Sequence, residues 1–444
     1  LTSAAHMSVF LYTAPVFTAL GLHFRLPSER LRFLQWLGIL LAFGGIAMAT
    51  PVTTSPCNNA NTEAEMYDCL TAELKKSDAE LNTAYKKLID RYKADGQSAE
   101  SQYNYLKQKA YTFAANFYSG RFYESAQLSG RIDFPSKIPL FLGAEITYNH
   151  WNYYNTSKIF VENPSPTYID QADRKIDFKF GMPLNRNARV ILSSSFINNS
   201  DNYSPTRTFV VGDLLDRTVF NGFRVNLSFE KNSLNRKQYA TAGQNILLSI
   251  NYTTGKENYT PGNIQTNNLG SQMAPAPTSA IRQWIQAKFS YENYILKTKN
   301  YTLGYLVEAV ASNQPLYSNY YATLIASPSF YPLQDSRSNF LENFRAFNYA
   351  GGGVKNIFNI QRKLDFRVEG YVFLPYQEFK KIGLQGVDFE KTLSTWHYAG
   401  TAGLVYQSPL GPISLSYNLY DEARKKHGVL LHIGYLIYNK RSLE

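Results

Sequence analysis

Ile413-Ser414-Leu415-Ser416-Tyr417-Asn418-Leu419-Tyr420 alternates apolar with mostly polar residues, and Val429, Leu431, Ile433, Tyr435 and Ile437 repeat the device with His432 and Gly434 on the other face. A period of two over such lengths predicts a pair of β-strands, each with one apolar side. Asp421–His427 (DEARKKH) between them is fully polar, as a loop joining antiparallel strands in water should be. Ahead of the pair, Ser408, Pro409, Leu410, Gly411 and Pro412 predict a closing-strand turn, because each proline fixes its own φ and Gly411 permits the reversal.

The same alternation runs upstream. Ile176, Phe178 and Phe180 alternate with Asp177, Lys179 and Gly181, and Val225, Leu227 and Phe229 with Asn226, Ser228 and Glu230. Phe366, Val368 and Val372 face away from Arg367, Glu369 and Tyr371. Charges opposite an apolar face suit a wet lumen behind a lipid-facing exterior. The chain has 444 residues with 34 Tyr and 28 Phe, yet a mean hydropathy of only −0.31. A transmembrane barrel with aromatic girdles accounts for that combination, the competing expectation being a soluble β-sandwich enzyme or lectin. About ten residues per strand plus loops predicts roughly 14 to 16 antiparallel strands over 103–444. Asn152–Asp173, Lys256–Ser279 and Pro328–Asn343 are long, polar and Pro-containing, and are expected as extracellular loops. The net charge of +11 is scattered without a basic stripe, so nucleic acid is not an expected partner.

These residues carry a resemblance. Val405-Tyr406-Gln407-Ser408-Pro409-Leu410-Gly411-Pro412-Ile413-Ser414-Leu415-Ser416-Tyr417, with Leu431-His432-Ile433-Gly434-Tyr435, resembles the closing strands of Omp85 (surface antigen D15) outer-membrane barrels. Gly120-Arg121-Phe122-Tyr123 with Gly130-Arg131-Ile132-Asp133-Phe134-Pro135 is similar to the barrel that follows a patatin-like phospholipase domain in Bacteroidetes proteins. The resemblance implies an outer-membrane translocator or membrane anchor for a passenger, with membrane lipid and the outer-membrane assembly machinery as partners. It also places Arg345, in Phe344-Arg345-Ala346-Phe347, where the family's inward-folded loop carries an arginine thought to contact acidic residues inside the barrel. The glycine that follows that arginine in the family is absent here. Family barrels often end on an aromatic residue, whereas this chain continues past Tyr438 to Leu443-Glu444. With no room for a POTRA domain between the polar linker and Tyr103, the edge of the Val429–Tyr438 strand is expected to meet the Ala110–Tyr118 strand in a strained closure or an open seam.

Two different blocks precede the barrel. Ser8–Phe24 and Phe33–Ala49 are almost wholly apolar, close to the roughly 17 to 25 residues of a membrane helix. Arg25, Arg30 and Arg32 between them place that loop in the cytoplasm. Residues 1–50 are thus expected as a transmembrane helix pair resembling a fragment of an EamA-type drug/metabolite transporter, an inner-membrane element. An alternative makes Arg30 and Arg32, Phe33–Ile46 and Ala47-Met48-Ala49 the three regions of a signal peptide.

Thr62 and Glu65 then form a capping box, after which Met66, Leu70, Leu74, Leu81, Leu88 and Tyr92 recur near helical spacing. Cys57, ahead of the cap, can fold back on Cys69 and pin the helix start by a disulfide. Residues 51–102 are therefore expected as a linker and a small disulfide-pinned helical module. Ser55–Lys93 resembles the LprI-like (DUF1311) periplasmic module named for a lysozyme inhibitor, which implies lysozyme as a second possible partner.

No nucleophile elbow of the G-x-S-x-G type occurs, so the patatin-type hydrolase is not in this sequence and no enzyme activity is expected. The six His lack ligand spacing, which leaves no expected metal or cofactor; His150, His397 and His432 are expected at the membrane interface or in the lumen. Gly351-Gly352-Gly353 lacks the residues of a phosphate loop and is expected to bend a strand. Inner-membrane helices and an outer-membrane barrel imply incompatible itineraries. A composite chain, with seams near Thr50 and Gln102 and function residing in the barrel, is the resulting expectation.

Overall fold

The structure, a computed structural model, describes residues 110–444 except 121, 135–137, 155–166, 207–211, 265–275, 384, 409–410, 423–425 and 437. Fourteen antiparallel strands form one sheet in which chain neighbours pair in sequence order. They are β1 (Ala110–Ser119), β2 (Tyr123–Phe134), β3 (Leu140–Tyr154), β4 (Thr167–Asn185), β5 (Ala188–Tyr203), β6 (Asp216–Asn232), β7 (Gln244–Thr260), β8 (Thr278–Lys297), β9 (Tyr301–Ser312), β10 (Tyr349–Gln361), β11 (Leu364–Pro375), β14 (His397–Ser408), β15 (Gly411–Tyr420) and β16 (His427–Ile433). A separate hairpin, β12 (Phe379–Ile382) with β13 (Gly386–Phe389), sits in the β11–β14 connection, and one short helix, α1 (Tyr320–Ala326), in the β9–β10 connection.

Alternation in the sequence becomes alternation across the sheet. Ile176, Phe178 and Phe180 are exposed while Asp177 between them is buried. Inward charges are paired, across strands where Lys179 Nζ lies 2.8 Å from Glu145, Lys288 3.1 Å from Glu308 and Lys355 2.6 Å from Glu292, and along β11 where Arg367 Nε lies 2.9 Å from Glu369. An apolar exterior over a paired polar interior is the pattern of a sheet with lipid on one side and a wet lumen on the other.

The sheet curls around residues 313–348. Tyr203 of β5, Phe373 of β11 and Tyr420 of β15 all meet this one connection, through Asn319, Phe330 and Ser336 respectively. Connections 186–187, 298–300 and 362–363 at one end are short and 155–166, 261–277, 313–348 and 376–396 at the other are long, with 233–243 and 120–122 as exceptions at the respective ends. Membrane barrels show the same asymmetry between short turns and long loops.

Several expectations are corrected here. The fold class is mainly β, antiparallel and barrel-like; no helix long and apolar enough to cross a membrane and no disulfide occur among the described residues. The helix pair of 1–50, the helical module and Cys57 and Cys69 lie outside the described residues, as does Pro409. The expected loops 152–173 and 256–279 are narrower than their composition suggests, because β3, β4, β7 and β8 continue into them with polar residues on their outer face. Residues 328–343 fold into the interior instead of projecting outward, with Phe330, Leu333 and Leu341 buried. β16 stops at Ile433, short of Tyr438, because Gly434 adopts φ +91° and turns the chain inward. Gly351 to Gly353 keep unbroken register with both neighbouring strands. Their missing side chains admit rings instead: a Cβ would stand 3.1 Å from Phe330 at Gly351 and 2.3 Å from Tyr371 at Gly353.

Candidate functional site

The two ends of the sheet define the site. β1 has ladder partners only in β2, and β16 only in β15; among the described residues no ladder joins β1 to β16. β16 has seven residues, fewer than the roughly 9–11 needed to cross the apolar layer. A seam therefore runs between the two strands.

From the inside, the residues after Gly434 bridge this seam. Gly434 N–H donates to the Pro412 carbonyl at 2.8 Å, and Leu436 exchanges hydrogen bonds with the Gln238 amide at 3.1 and 2.8 Å. The chain then passes β1 and docks on the inner face of β2, where Asn439 N–H donates to Tyr123 Oη at 2.9 Å and Asn439 Nδ2 to Ser125 Oγ at 2.6 Å. Further on, Ser442 N–H donates to Asp173 of β4 at 2.7 Å and its hydroxyl to Asn199 of β5 at 2.8 Å. Arg224 of β6 donates to the carbonyls of Ser442 and Glu444, each at 2.8 Å. Glu444 is clamped by Arg337, whose Nη1 approaches at 2.8 Å. Burial works against the Glu444 carboxylate, but Arg337, Lys288 and Arg441 hold it well below the usual carboxylate range.

The 313–348 connection occupies much of the rest of the interior. Asn319 caps α1 by accepting from Ala322 N–H at 2.8 Å, and Ser318 N–H reaches Glu257 of β7 at 2.8 Å. Asp335 accepts from Asn418 at 2.8 Å and from Tyr420 at 2.5 Å. Arg345 is buried, donates to the Leu324 carbonyl at 3.0 Å and lies over the Phe340 ring at 4.2 Å. It thus stands inside the barrel, with a carbonyl and a ring in contact. Tyr331 is half-buried beside it; burial opposes its ionisation, yet Arg345 and Arg441 bring its phenol down to about 8.

Between this connection and the wall of β8–β15 lies a polar cavity of about 750 Å³ that reaches Asn116 of β1. Tyr239, Tyr371, Arg367, Lys355 and Tyr435 are among its walls. The closing-strand turn borders the seam: Ser408 Oγ donates to the Gly411 carbonyl at 2.6 Å, and Gly411 at φ +120° lets the Tyr435 ring pack against it. Pro412 supplies the carbonyl that receives Gly434.

The histidines fall as structural groups. His432 accepts or donates at Ser414 Oγ over 2.8 Å and stacks on Tyr239 in the lumen. His397 joins Glu378 to Asp421 at the long-loop end, and His150 meets Asp170 at 2.6 Å on the outer face. Sequence reading missed the interior course of 434–444. Its only signal was the polar run Asn439-Lys440-Arg441-Ser442 directly after an apolar strand.

Comparison with known proteins gives partial matches. The family model described as "Lysozyme inhibitor LprI" matches residues 55–132, which takes in β1 and most of β2. No curated protein matches the chain. Among solved structures, the chain is similar to BamA from Haemophilus ducreyi lacking POTRA domains 1-3, at 14% identity and TM-score 0.44 over 72% of this chain and 63% of that one. It is also similar to CdiB from Acinetobacter baumannii, at 9% identity and TM-score 0.38 over 72% and 52%. For BauA, the ferric preacinetobactin receptor of Acinetobacter baumannii, the figures are 10%, 0.34, 72% and 50%. The chain spans less than two thirds of the length of each of these structures. On the geometry of its own sheet, the described chain is a mainly antiparallel, barrel-like β protein.

Proposed function

We propose that the described chain is the membrane-embedded barrel of an outer-membrane protein of Omp85 type, which handles polypeptide at the seam between β1 and β16 and performs no chemistry of its own. The observation that carries this reading is the seam: two strand edges without a ladder between them, in a barrel whose interior is crossed by 313–348 and 434–444. Unpaired backbone groups in lipid cost several kcal/mol each, so such edges favour pairing with an incoming strand. The two segments that cross the interior favour lateral exchange over axial passage.

The test tethers the seam. In a background where Cys57 and Cys69, the only cysteines of the sequence, are replaced by Ser, Ala115→Cys with Leu431→Cys is bridged in lipid by a disulfide-containing bifunctional thiol reagent long enough to span the seam. The expected result is loss of the protein's acceleration of barrel-substrate insertion into liposomes, restored by reductant. Equal activity in both redox states would sink the lateral reading and leave a passive anchor. A second reading, a lysozyme-inhibiting module ahead of the barrel, rests on the family match at 55–132. Inhibition of lysozyme by the full chain tests it, and no effect at micromolar protein counts against it.

A further inference from the structure

The outer face of β3–β7 changes character along one cross-strand row. Tyr148 pairs with Arg174, Arg174 with Asn198, Asn198 with Asn221, and Asn221 with Lys256. These residues stand side by side on the exterior at about 4.8 Å per strand. Arg174 Nη1 donates to Asn198 Oδ1 at 3.0 Å, and Asn198 Nδ2 donates to Asn221 Oδ1 at 2.5 Å. Arg174 also lies over the Tyr148 ring at 5.6 Å. Toward the short-turn end the next outward residues are Ile146, Ile176, Phe196 and Phe223; toward the long loops they are His150, Ala172, Ser200 and Val219, a mixed row, beyond which Asn152, Asp170, Asn202 and Arg217 are all polar, with Ser200 accepting from Arg217 at 3.3 Å. The row is the upper border of the apolar layer.

Two cations sit on that border without a counter-charge. Among the described residues neither Arg174 nor Lys256 is within ion-pair distance of a carboxylate, while the nearby outward acids Glu124 and Asp170 are engaged by His150. Four residues below the row, about 13 Å along the strands, an open apolar groove of about 700 Å³ crosses the same face. Phe113, Leu142, Phe178, Phe180, Leu192 and Val225 line it, and Gly130, Gly143 and Ala144 keep its floor low.

We propose that this face binds one membrane lipid with a phosphorylated headgroup: the Arg174–Asn198–Asn221–Lys256 row takes the phosphate and the groove takes an acyl chain. The charge selects the headgroup, since a cation at the lipid border gains most from a fixed anion. The groove selects the lipid over a free anion. The inference rests on the membrane reading of the barrel.

The experiment measures equilibrium binding of fluorescent phosphatidic acid to the full chain in non-ionic detergent, against diacylglycerol with the same acyl chains and against inorganic phosphate. Arg174→Gln with Lys256→Gln should weaken phosphatidic acid by about 30-fold, roughly fivefold per cation. Diacylglycerol should be unchanged. Ala144→Phe, which fills the groove, should weaken both lipids, and Lys380→Gln on the β12–β13 hairpin with Lys391→Gln just after it neither. Raising salt on the unmodified protein should weaken phosphatidic acid alone, which keeps the test alive if a variant fails to fold. Unchanged binding in the Arg174/Lys256 variant overturns the site, and so does displacement by inorganic phosphate at the lipid's own concentration. Failure to hold either lipid counts against the membrane reading itself.

Discussion

The wall of β4–β8 and the seam of β1 and β16 are written in the same alternating pattern, yet they are built to different standards. β5 pairs along its whole length with both neighbours, and β4, β6, β7 and β8 run 16 to 20 residues with it. β1 has ten paired residues and β16 seven, each on one side only. In lipid no water replaces a missing ladder, so the number of paired neighbours sets where the sheet can open. The wall supplies the rigidity against which the seam can work, and the 434–444 segment fastens the seam from within.

The largest expected contrast is steric. A Cβ at Gly255 in the wall would stand 2.5 Å from the Asn221 carbonyl oxygen and 2.7 Å from the Gly222 Cα, both backbone. Gly255→Leu should cost about 3 kcal/mol or more and abolish the heat-modifiable band on unheated gels. Gly130→Leu, on β2 beside the seam, meets only the movable Phe113 ring at 3.4 Å and should cost about 1 kcal/mol or less. Equal damage at both positions would break the comparison.

Hydrogen exchange sharpens it further. Amides of β5–β7 should exchange about 100-fold more slowly than those of β1 and β16 in the same lipid preparation. Uniform protection would mean that the edges are held by a partner strand.

The inner fastening should matter more than surface pairs. A double-mutant cycle of Arg337→Gln and Glu444→Gln should give a coupling of about 1 to 2 kcal/mol in urea unfolding. The exposed Lys380–Glu390 pair should give about 0.5 kcal/mol or less. Because the folded Glu444 carboxylate is depressed, its contribution is present above the unfolded value of about 4.3 and is lost only as pH falls further through the folded one. A fastening that released at neutral pH would contradict this.

The smallest effect is spectroscopic. Tyr331 should ionise near pH 8 in difference absorbance, and Arg345→Gln should move that midpoint upward. Between about pH 8 and 10 the unfolded chain binds the extra proton, so this group makes stability rise with pH over that window. A midpoint at the ordinary tyrosine value would show that Arg345 and Arg441 do not face the phenol as described.

Legibility followed the range of the interactions. The alternation at Ile176–Phe180 and Phe366–Val372 was readable because lipid on one side and paired charge on the other act residue by residue. The upper limits of β4 and β8 were not readable, since outward residues there such as Asp170 and Ser279 are polar and look like loop residues, while inward ones such as Gln171 and Asp173 are polar too and are buried only by the fold. Arg345 was singled out only through the family resemblance of the Phe344–Phe347 stretch, and its carbonyl partner at Leu324 comes from a helix folded back onto it. The glycines at 351–353 were visible, but the rings they admit arrive from another strand and another loop.

By itself, then, the sequence determined the antiparallel strands, their apolar and polar faces and the polar turns, because a period of two is imposed locally by the pleat. The open seam between the first and last strands was expected from the family resemblance; only the tertiary structure decided that 313–348 and 434–444 turn inward and which cations on the described exterior lack a carboxylate. Those outcomes depend on groups more than a hundred residues apart competing for the same donors and acceptors, as Asn439 with Ser125 and Arg224 with Ser442 do, and no local pattern encodes which of them wins.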